Sequence, residues 1–412
     1  MNILILVWSY IKSRPLNTAI NIALLALGIA VITIMLLFNN QLQQKMNDNA
    51  RGIDLVVGAK GSPMQLILCN IFHIDFPTGN IPLTEANRIS RNRLIRTAIP
   101  LALGDSYQSF RIVGTNRSYA DLYRAKIAVG DWWTDNLQVT IGSNVADRVK
   151  FNLNDAFTSA HGLTGAGHAH EEHQYVVTGI MQPTGTILDD LILTSIESIW
   201  EVHDVARTQL ALDDTTELRS TLVPSVAAND STKEITALLV KYRSPLAAVQ
   251  LPRLINSQTN LQAASPAFET ARIFSILGVG VDIVRAFAYF LIAISALSIF
   301  IALYNSLKER AYDMAVMRSM GASRTKLLVL VLLEGGLMTL IGCIIGMGMG
   351  HAVLMVLPTV VKQSEKTGIN GFIFYPEEWI ILVGSLLLGL ICAVIPAEQV
   401  YRSNVSKILS GN

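Results

Sequence analysis

Charge is what this sequence has least of. Asp, Glu, Lys and Arg make up 15% of its 412 residues, where an average soluble chain carries about 25%. The shortfall is uneven. A few long stretches hold almost no charge and the remainder is ordinary, the pattern of a membrane protein that carries a soluble domain. Neither sign dominates, and a net charge of +1 supplies no basic surface for nucleic acid. Cysteine is scarce as well. Of three, Cys343 and Cys392 fall in apolar stretches and only Cys69 lies in the polar region, which rules out a disulfide framework. A phosphate-binding loop is missing too. Gly58-Ala59-Lys60-Gly61-Ser62 lacks the Gly-x-x-x-x-Gly-Lys-Ser/Thr spacing that sets a lysine beside the β- and γ-phosphates, and it reads as a strand-to-helix turn. No serine-histidine-acid spacing and no intramembrane catalytic cluster points to an enzyme.

Long apolar runs are what the sequence does have. Leu16–Phe38 contains no charged residue, close to the roughly 20 residues that cross about 30 Å of hydrocarbon as a helix. It is longer than the core of a secretory leader, and no small-x-small cleavage site follows Asn39 and Asn40, so it reads as an uncleaved anchor. Ile3–Ile11, with Trp8 and Tyr10, suits a short helix lying in the interface. Further spans are expected over Ala286–Tyr304, Leu327–Leu357 and Trp379–Ala397. Lys12, Arg14, the Lys308–Lys326 loop, Arg402 and Lys407 carry the basic residues that the positive-inside rule puts in the cytoplasm, together with both termini.

The expected fold is an α-helical membrane protein with four transmembrane helices and a mixed α+β extracytoplasmic domain inserted between helices 1 and 2. Residues 1–40 hold the interfacial helix and the first span, 41–275 the outer domain, and 276–412 a stalk, the last three spans and a cytoplasmic helix. Within the outer domain, strands are expected at Ile53–Val57, Phe110–Val113, Leu137–Ile141, Tyr175–Met181, Ile187–Leu193 and Thr236–Tyr242. Helices are expected at Met64–Phe72, Thr84–Asn92, Val145–Phe151, Ser195–Val202 and Pro245–Asn256. A helical pattern from Pro266 leads directly into the second span.

The segment from Lys308 to Ser323 reads Lys-Glu-Arg-Ala-Tyr-Asp-Met-Ala-Val-Met-Arg-Ser-Met-Gly-Ala-Ser. Met314, Met317 and Met320 recur at helical spacing, Gly321 fits a helix C-cap, and Ser323 can cap the helix that follows. From the pattern alone this is an amphipathic helix on the cytoplasmic membrane face. The run Arg310-x-x-Asp313-Met314-Ala315-x-Met317-Arg318-x-Met320-Gly321-Ala322-Ser323, followed by Glu334 and Gly335, resembles the signature of the FtsX/MacB family of ABC transporter permeases. Asp313 stands where that family usually has Glu.

The resemblance implies that the short helix is a coupling helix. Met314, Met317 and Met320 would pack on an ATPase and Arg310, Asp313 and Arg318 would form a polar rim. It implies a permease without catalytic residues, working by mechanotransmission in a bacterial inner membrane. The ATP and magnesium would be held by a separate ABC ATPase, and the permease would pair with itself or with a related permease. Hydrophobic small molecules and lipoproteins are the family's usual cargoes. An FtsX-like regulator that activates an outer hydrolase without transport is the rival reading.

Glu334 is a carboxylate inside a span, read as structural for the bundle or the coupling loop. Gly342, Gly346 and Gly350 repeat at the spacing that lets helix backbones approach. Four of the seven histidines fall between His161 and His173. His161, His168, His170 and His173, with Glu171 and Glu172, carry the donor types that suit zinc, and Gly162, Gly165 and Gly167 would let a loop wrap the ion. The same composition also fits a solvated loop that binds nothing. A metal-linked cargo, or a periplasmic adaptor or metal-binding partner, follows only from the first of these. His73, His203 and His351 stand alone and read as fold residues.

Overall fold

Uncharged runs become long helices, and the polar stretch between the first two becomes a sheet. The computed structural model describes residues 3–13, 15–161, 169–203, 233–360 and 369–402. Helices α1 (Ile3–Ser13) and α2 (Pro15–Asn49) come first. They are followed by β1 (Leu55–Ala59), α3 (Pro63–Asn70), β2 (Ile81–Pro82), α4 (Leu83–Ser90), β3 (Ile95–Tyr107), β4 (Phe110–Gly114), α5 (Arg117–Leu122) and β5 (Ile127–Gly130). Next are β6 (Gln138–Ile141), α6 (Ser143–Val149), β7 (Ala156–His161), β8 (Ala169–Met181), β9 (Leu191–Thr194) and α7 (196–203). β10 (Glu234–Ile235), β11 (Ala237–Tyr242), α8 (Pro245–Gln258) and β12 (Leu261–Ala264) precede the unbroken α9 (Pro266–Glu309). The last three are α10 (Ala311–Ser319), α11 (Arg324–Val360) and α12 (Glu378–Arg402). Two compact units result, Met1–Gln43 with Ile276–Asn412, and Gln44–Ser275.

In the first unit, α2, α9, α11 and α12 are long and apolar enough to cross a membrane. Their shared core contains Leu25, Ile29, Ile299, Leu303, Cys343 and Ala393. Hydrocarbon offers no hydrophobic drive for helix association, so close packing and polar contacts must supply it. Both are present. A Cβ on Gly346 would lie 2.6 Å from the Ala26 carbonyl oxygen and 2.9 Å from Ile29 Cβ, while Gly342 faces Leu25 and Gly350 faces Thr33. All three glycines therefore line the contact between α11 and α2. Between α2 and α9, Ser298 Oγ donates to Asn21 Oδ1.

In the second unit, one sheet runs β12-β1-β11-β3-β4-β9-β6-β8-β5, and β7 pairs with both β3 and β8. That double pairing closes β3, β4, β9, β6, β8 and β7 into a ring. The core includes Phe110, Ile112, Val139, Phe157, Tyr175 and Ile192. Helices start where capping chemistry allows. Ser62 Oγ accepts from Gln65 N ahead of α3, with Pro63 in the first turn, and Asn116 Oδ1 accepts from Ser118 N ahead of α5.

The longest strands depart from expectation. β3 has no counterpart in the sequence reading, because Pro100 and the Gly104-Asp105-Ser106 run break its alternation. The β3–β4 register indeed shifts between Leu103 and Ser106. β8 begins at Ala169 rather than Tyr175, since β7 pairs along it as far as Ala160 opposite Ala169. Ile187–Asp190 is a 3-10 turn, so the strand starts only at Leu191 and runs one residue past the expected end, to Thr194.

Candidate functional site

Arg310 is the corner between α9 and α10. Its backbone stays hydrogen-bonded on both sides, donating to Ser306 O at 3.2 Å and accepting from Met314 N at 3.0 Å. Its side chain turns into the bundle. One guanidinium nitrogen is 3.7 Å from Glu334 Oε1, another donates to the Tyr10 carbonyl at 3.2 Å, and the group lies 3.8 Å from the Tyr10 ring centroid. The Arg310 and Glu334 side chains are only 12% and 6% exposed. A carboxylate this deep needs a cation, and Arg310 supplies it while joining α1, the corner and α11. Beside the pair is a cavity of about 20 Å³ lined by Tyr10, Asn17, Ser306 and Met338, among others. That is room for one water. Ser306 Oγ is buried with no hydrogen-bond partner among the described residues.

The face of α10 differs from the expected one. Met314 is buried with Leu307, Leu327, Val331 and Ala397, and Met317 packs against the same cluster. The methionine stripe expected on an ATPase is largely taken up by the chain's own helices, because α11 and α12 offer apolar surface to it. Only Met320, 81% exposed, remains free of that packing. Arg310 is likewise not part of an outward rim. The exposed face consists of Tyr312, Asp313, Ser319 and Met320, with Arg318 half-buried.

The turn into α11 is tightly specified. Gly321 has φ +99°, and Ala322 N donates back to Met317 O at 3.0 Å. This is a left-handed helix termination that an L side chain would strain. Ser323 Oγ then accepts from Lys326 N at 3.3 Å, capping α11.

A second polar cluster lies at the far end of α11, and the sequence reading missed it. His351 Nδ1 donates to the Gly371 carbonyl at 2.6 Å, and its Nε2 is 2.9 Å from Glu378 Oε2. Glu378 Oε1 accepts from Tyr375 N at 2.8 Å. Gln41 clasps the same segment, accepting from Asn370 N at 2.7 Å and donating to Asn370 O at 2.8 Å. The separation of these residues in sequence gives no local signal. An isolated histidine in an apolar run, followed by a polar stretch, was the available hint.

His168 lies outside the described residues, as do the side chains of His161, His170, Glu171 and Glu172. The backbone shortens the expected loop: His161 ends β7 and Ala169 through His173 belong to β8, where Ala169 pairs with Ala160, while 162–168 lie outside the described residues. His173 is half-buried. Among the described residues, no three potential metal-ligating side chains converge. His203, read as a lone residue, has Nε2 3.4 Å from Asp105 Oδ1.

Residues 18–249, more than half of the chain, match the MacB-like periplasmic core domain, and residues 285–405 match the FtsX-like permease C-terminal domain. An uncharacterized ABC transporter permease of Methanocaldococcus jannaschii is 26% identical over 139 residues. That match covers 34% of this chain and 35% of the relative, so only about a third of the relative's length is spanned. The solved periplasmic region of MacB from Actinobacillus actinomycetemcomitans aligns over 56% of this chain and 98% of its own, at 16% identity and TM-score 0.33. The extracellular domain of the noncanonic ABC-type transporter YknZ from Gram-positive bacteria aligns over 52% and 99%, at 13% identity and TM-score 0.29. With four apolar helices, an extracytoplasmic-type domain between the first two, and both family domains in order, the chain belongs to the MacB/FtsX family of ABC transporter permeases.

Proposed function

We propose that this permease couples ATP hydrolysis by a separate cytoplasmic ATPase to movement of its extracytoplasmic domain. The observation that carries the proposal is the Arg310–Glu334 contact. It fastens the α9–α10 corner to α11, so a force applied to α10 is delivered to buried bundle residues instead of being absorbed in a loose loop. The unbroken α9 supports the same reading, since a continuous helix transmits displacement along its length. The surface assigned to the ATPase is Tyr312, Asp313, Ser319 and Met320. The permease subunit is non-catalytic, sits in the bacterial inner membrane with both termini in the cytoplasm, and acts as a dimer with itself or a related permease. The histidines of the 161–173 segment add a zinc link, and with it a periplasmic adaptor or metal-binding protein as a partner.

Two measurements test this. Cysteine placed at Ser109 or Ser319 in a background lacking native cysteines is expected to react with an impermeant outside reagent only at 109. Reaction at 319 from outside would overturn the orientation. The Met320→Glu variant is expected to insert normally but to lose co-purification of the ATPase. Retention of the ATPase with undiminished stimulated hydrolysis would remove α10 from the coupling role.

A further inference from the structure

Helix α1 is apolar on two sides. Val7 is fully buried against Leu330 and Met338 of α11, with Leu6 and Tyr10 beside it. Ile5, Trp8, Ser9 and Lys12 are all exposed. On a helix of 3.6 residues per turn these four positions fall within about 100° of one another, and 6, 7 and 10 fall on the other side. The outer face therefore presents an isoleucine and a tryptophan, with a lysine one turn further on.

The chain itself shows what covers this face. α2 begins at Pro15, two residues after α1 ends at Ser13. Its opening turns carry exposed Leu16 and Ile20, and Leu27 follows at the spacing of the same stripe. In a helix apolar enough to cross a membrane, that stripe is the side turned to hydrocarbon. α1 thus lies where a span enters the bilayer, at the level of lipid headgroups. Trp and Lys both suit that layer, since each combines an apolar body with a polar tip. Here they are already together, with Lys12 Nζ 5.4 Å from the Trp8 ring centroid. An ammonium and an indole N–H one turn apart offer a lipid phosphate both a charge and a hydrogen bond.

The inner side of α1 leads to the coupling corner. Tyr10 is among the last four residues of α1, whose carbonyls find no amide in their own helix. Arg310 donates to the Tyr10 carbonyl at 3.2 Å, so it caps α1 with the same guanidinium that meets Glu334. Tyr10 is also a wall of the small cavity beside that pair. Against lipid, apolar contact alone gives little drive to keep α1 on α11. The hold on α1 comes from Arg310 on one side and from the headgroup layer on the other.

We propose that the outer face of α1 docks anionic phospholipid of the cytoplasmic leaflet, with Lys12 and Trp8 as the headgroup contact, and that this lipid steadies the Arg310–Glu334 corner. The choice of leaflet and the consequence for coupling rest on the orientation and the α10 role given above. The contact itself rests on α1 alone.

The test uses the full chain in nanodiscs of phosphatidylcholine, with and without phosphatidylglycerol. Retained lipid is read by native mass spectrometry and the α9–α10 corner by amide hydrogen exchange. The unmodified chain is expected to retain phosphatidylglycerol in preference to phosphatidylcholine, and its corner amides to exchange more slowly when phosphatidylglycerol is present. Lys12→Gln, on the exposed face, is expected to weaken that retention about fivefold, the equivalent of about 1 kcal/mol for one basic residue at an anionic surface, and to abolish the slowing. Lys326→Gln, another exposed lysine, is expected to change neither. No preference for phosphatidylglycerol, or an equal loss in both lysine variants, overturns the proposal. Retention that depends on Lys12 without any change at the corner overturns its second half. If cysteine at Ile5, in a background lacking native cysteines, cross-links copies of the chain while retention is unaffected by Lys12→Gln, the face belongs to a second copy and the lipid site falls. Slowed corner exchange with no effect of phosphatidylglycerol on hydrolysis by the partner ATPase removes the coupling role and leaves the lipid site standing.

Discussion

Arg310, at the end of one helix, and Glu334, inside another, face each other at 3.7 Å with almost no exposure to solvent. Removing one partner of such a pair leaves a buried charge without compensation, which costs about 3–5 kcal/mol. Arg310→Ala is therefore expected to lower the thermal unfolding midpoint in detergent substantially. Glu334→Gln is expected to do so by less, because its amide oxygen still accepts from the guanidinium. Equal midpoints for both variants and the unmodified protein would mean that the pair holds nothing.

The methionines of α10 are expected to separate. Met314→Ala empties a buried site and should destabilise by about 2–5 kcal/mol. Met320→Ala touches only exposed surface and should stay within about 0.5 kcal/mol, yet weaken retention of the ATPase. Unfolding curves and pull-down yields measured on both variants decide it. A stable Met314→Ala protein that loses the ATPase would return the whole stripe to the docking face.

Two glycines on opposite faces of α11, Gly346 and Gly348, are expected to respond oppositely. At Gly346 a methyl meets the Ala26 carbonyl and Ile29, so Gly346→Ala should cost about 1–3 kcal/mol through forced separation of α11 from α2. At Gly348 nothing lies within 4 Å, and Gly348→Ala should be neutral or gain up to about 1 kcal/mol from helix propensity. Melting temperatures of the two variants, read side by side, check the prediction.

Stability of the sheet domain should fall in mild acid. Burial, and then the charge of Arg111, holds the His73 imidazole well below the ordinary value of 6.5. Its Nε2 meets Tyr119 Oη at 3.0 Å. A lowered folded-state value means that the unfolded chain takes up the proton first. The contribution is therefore complete above about pH 6.5 and is lost as pH falls toward the folded value, by up to about 1.4 kcal/mol per pH unit. His73→Asn, an asparagine being tolerant of the positive φ of 53° found there, should flatten the profile between about pH 6.5 and 5. Denaturant midpoints followed against pH measure it, and an unchanged slope in the variant would clear His73 of the effect.

The spans were legible because a run such as Leu16–Phe38 has no other stable use, and the helices extend them only at the ends. The α10–α11 corner was legible because Gly321 and Ser323 act locally. What escaped was the choice of partner. The period of Met314 and Met317 announces an apolar face but not whether that face meets another protein or the chain's own α11 and α12. The pairings of Arg310 with Glu334, His351 with Glu378 and His203 with Asp105 join residues from separate elements, and spacing in sequence carries no trace of them. β3 escaped because Pro100 and Gly104 interrupt its pattern, while its hydrogen bonds to β11, β4 and β7 come from elsewhere in the chain.

The closure of strands through β7 bears on how this protein behaves among its neighbours. An open sheet presents two rows of unpaired amides and carbonyls, each a template on which another chain can add a strand. Here the main sheet path ends at β5 and β12, each only four residues long. β5 finishes at Gly130, whose φ of +77° takes the backbone out of extended geometry. A foreign strand would find too short a ledge to grip, so the domain can be displayed at a crowded membrane surface with little hazard of edge-to-edge fibre growth.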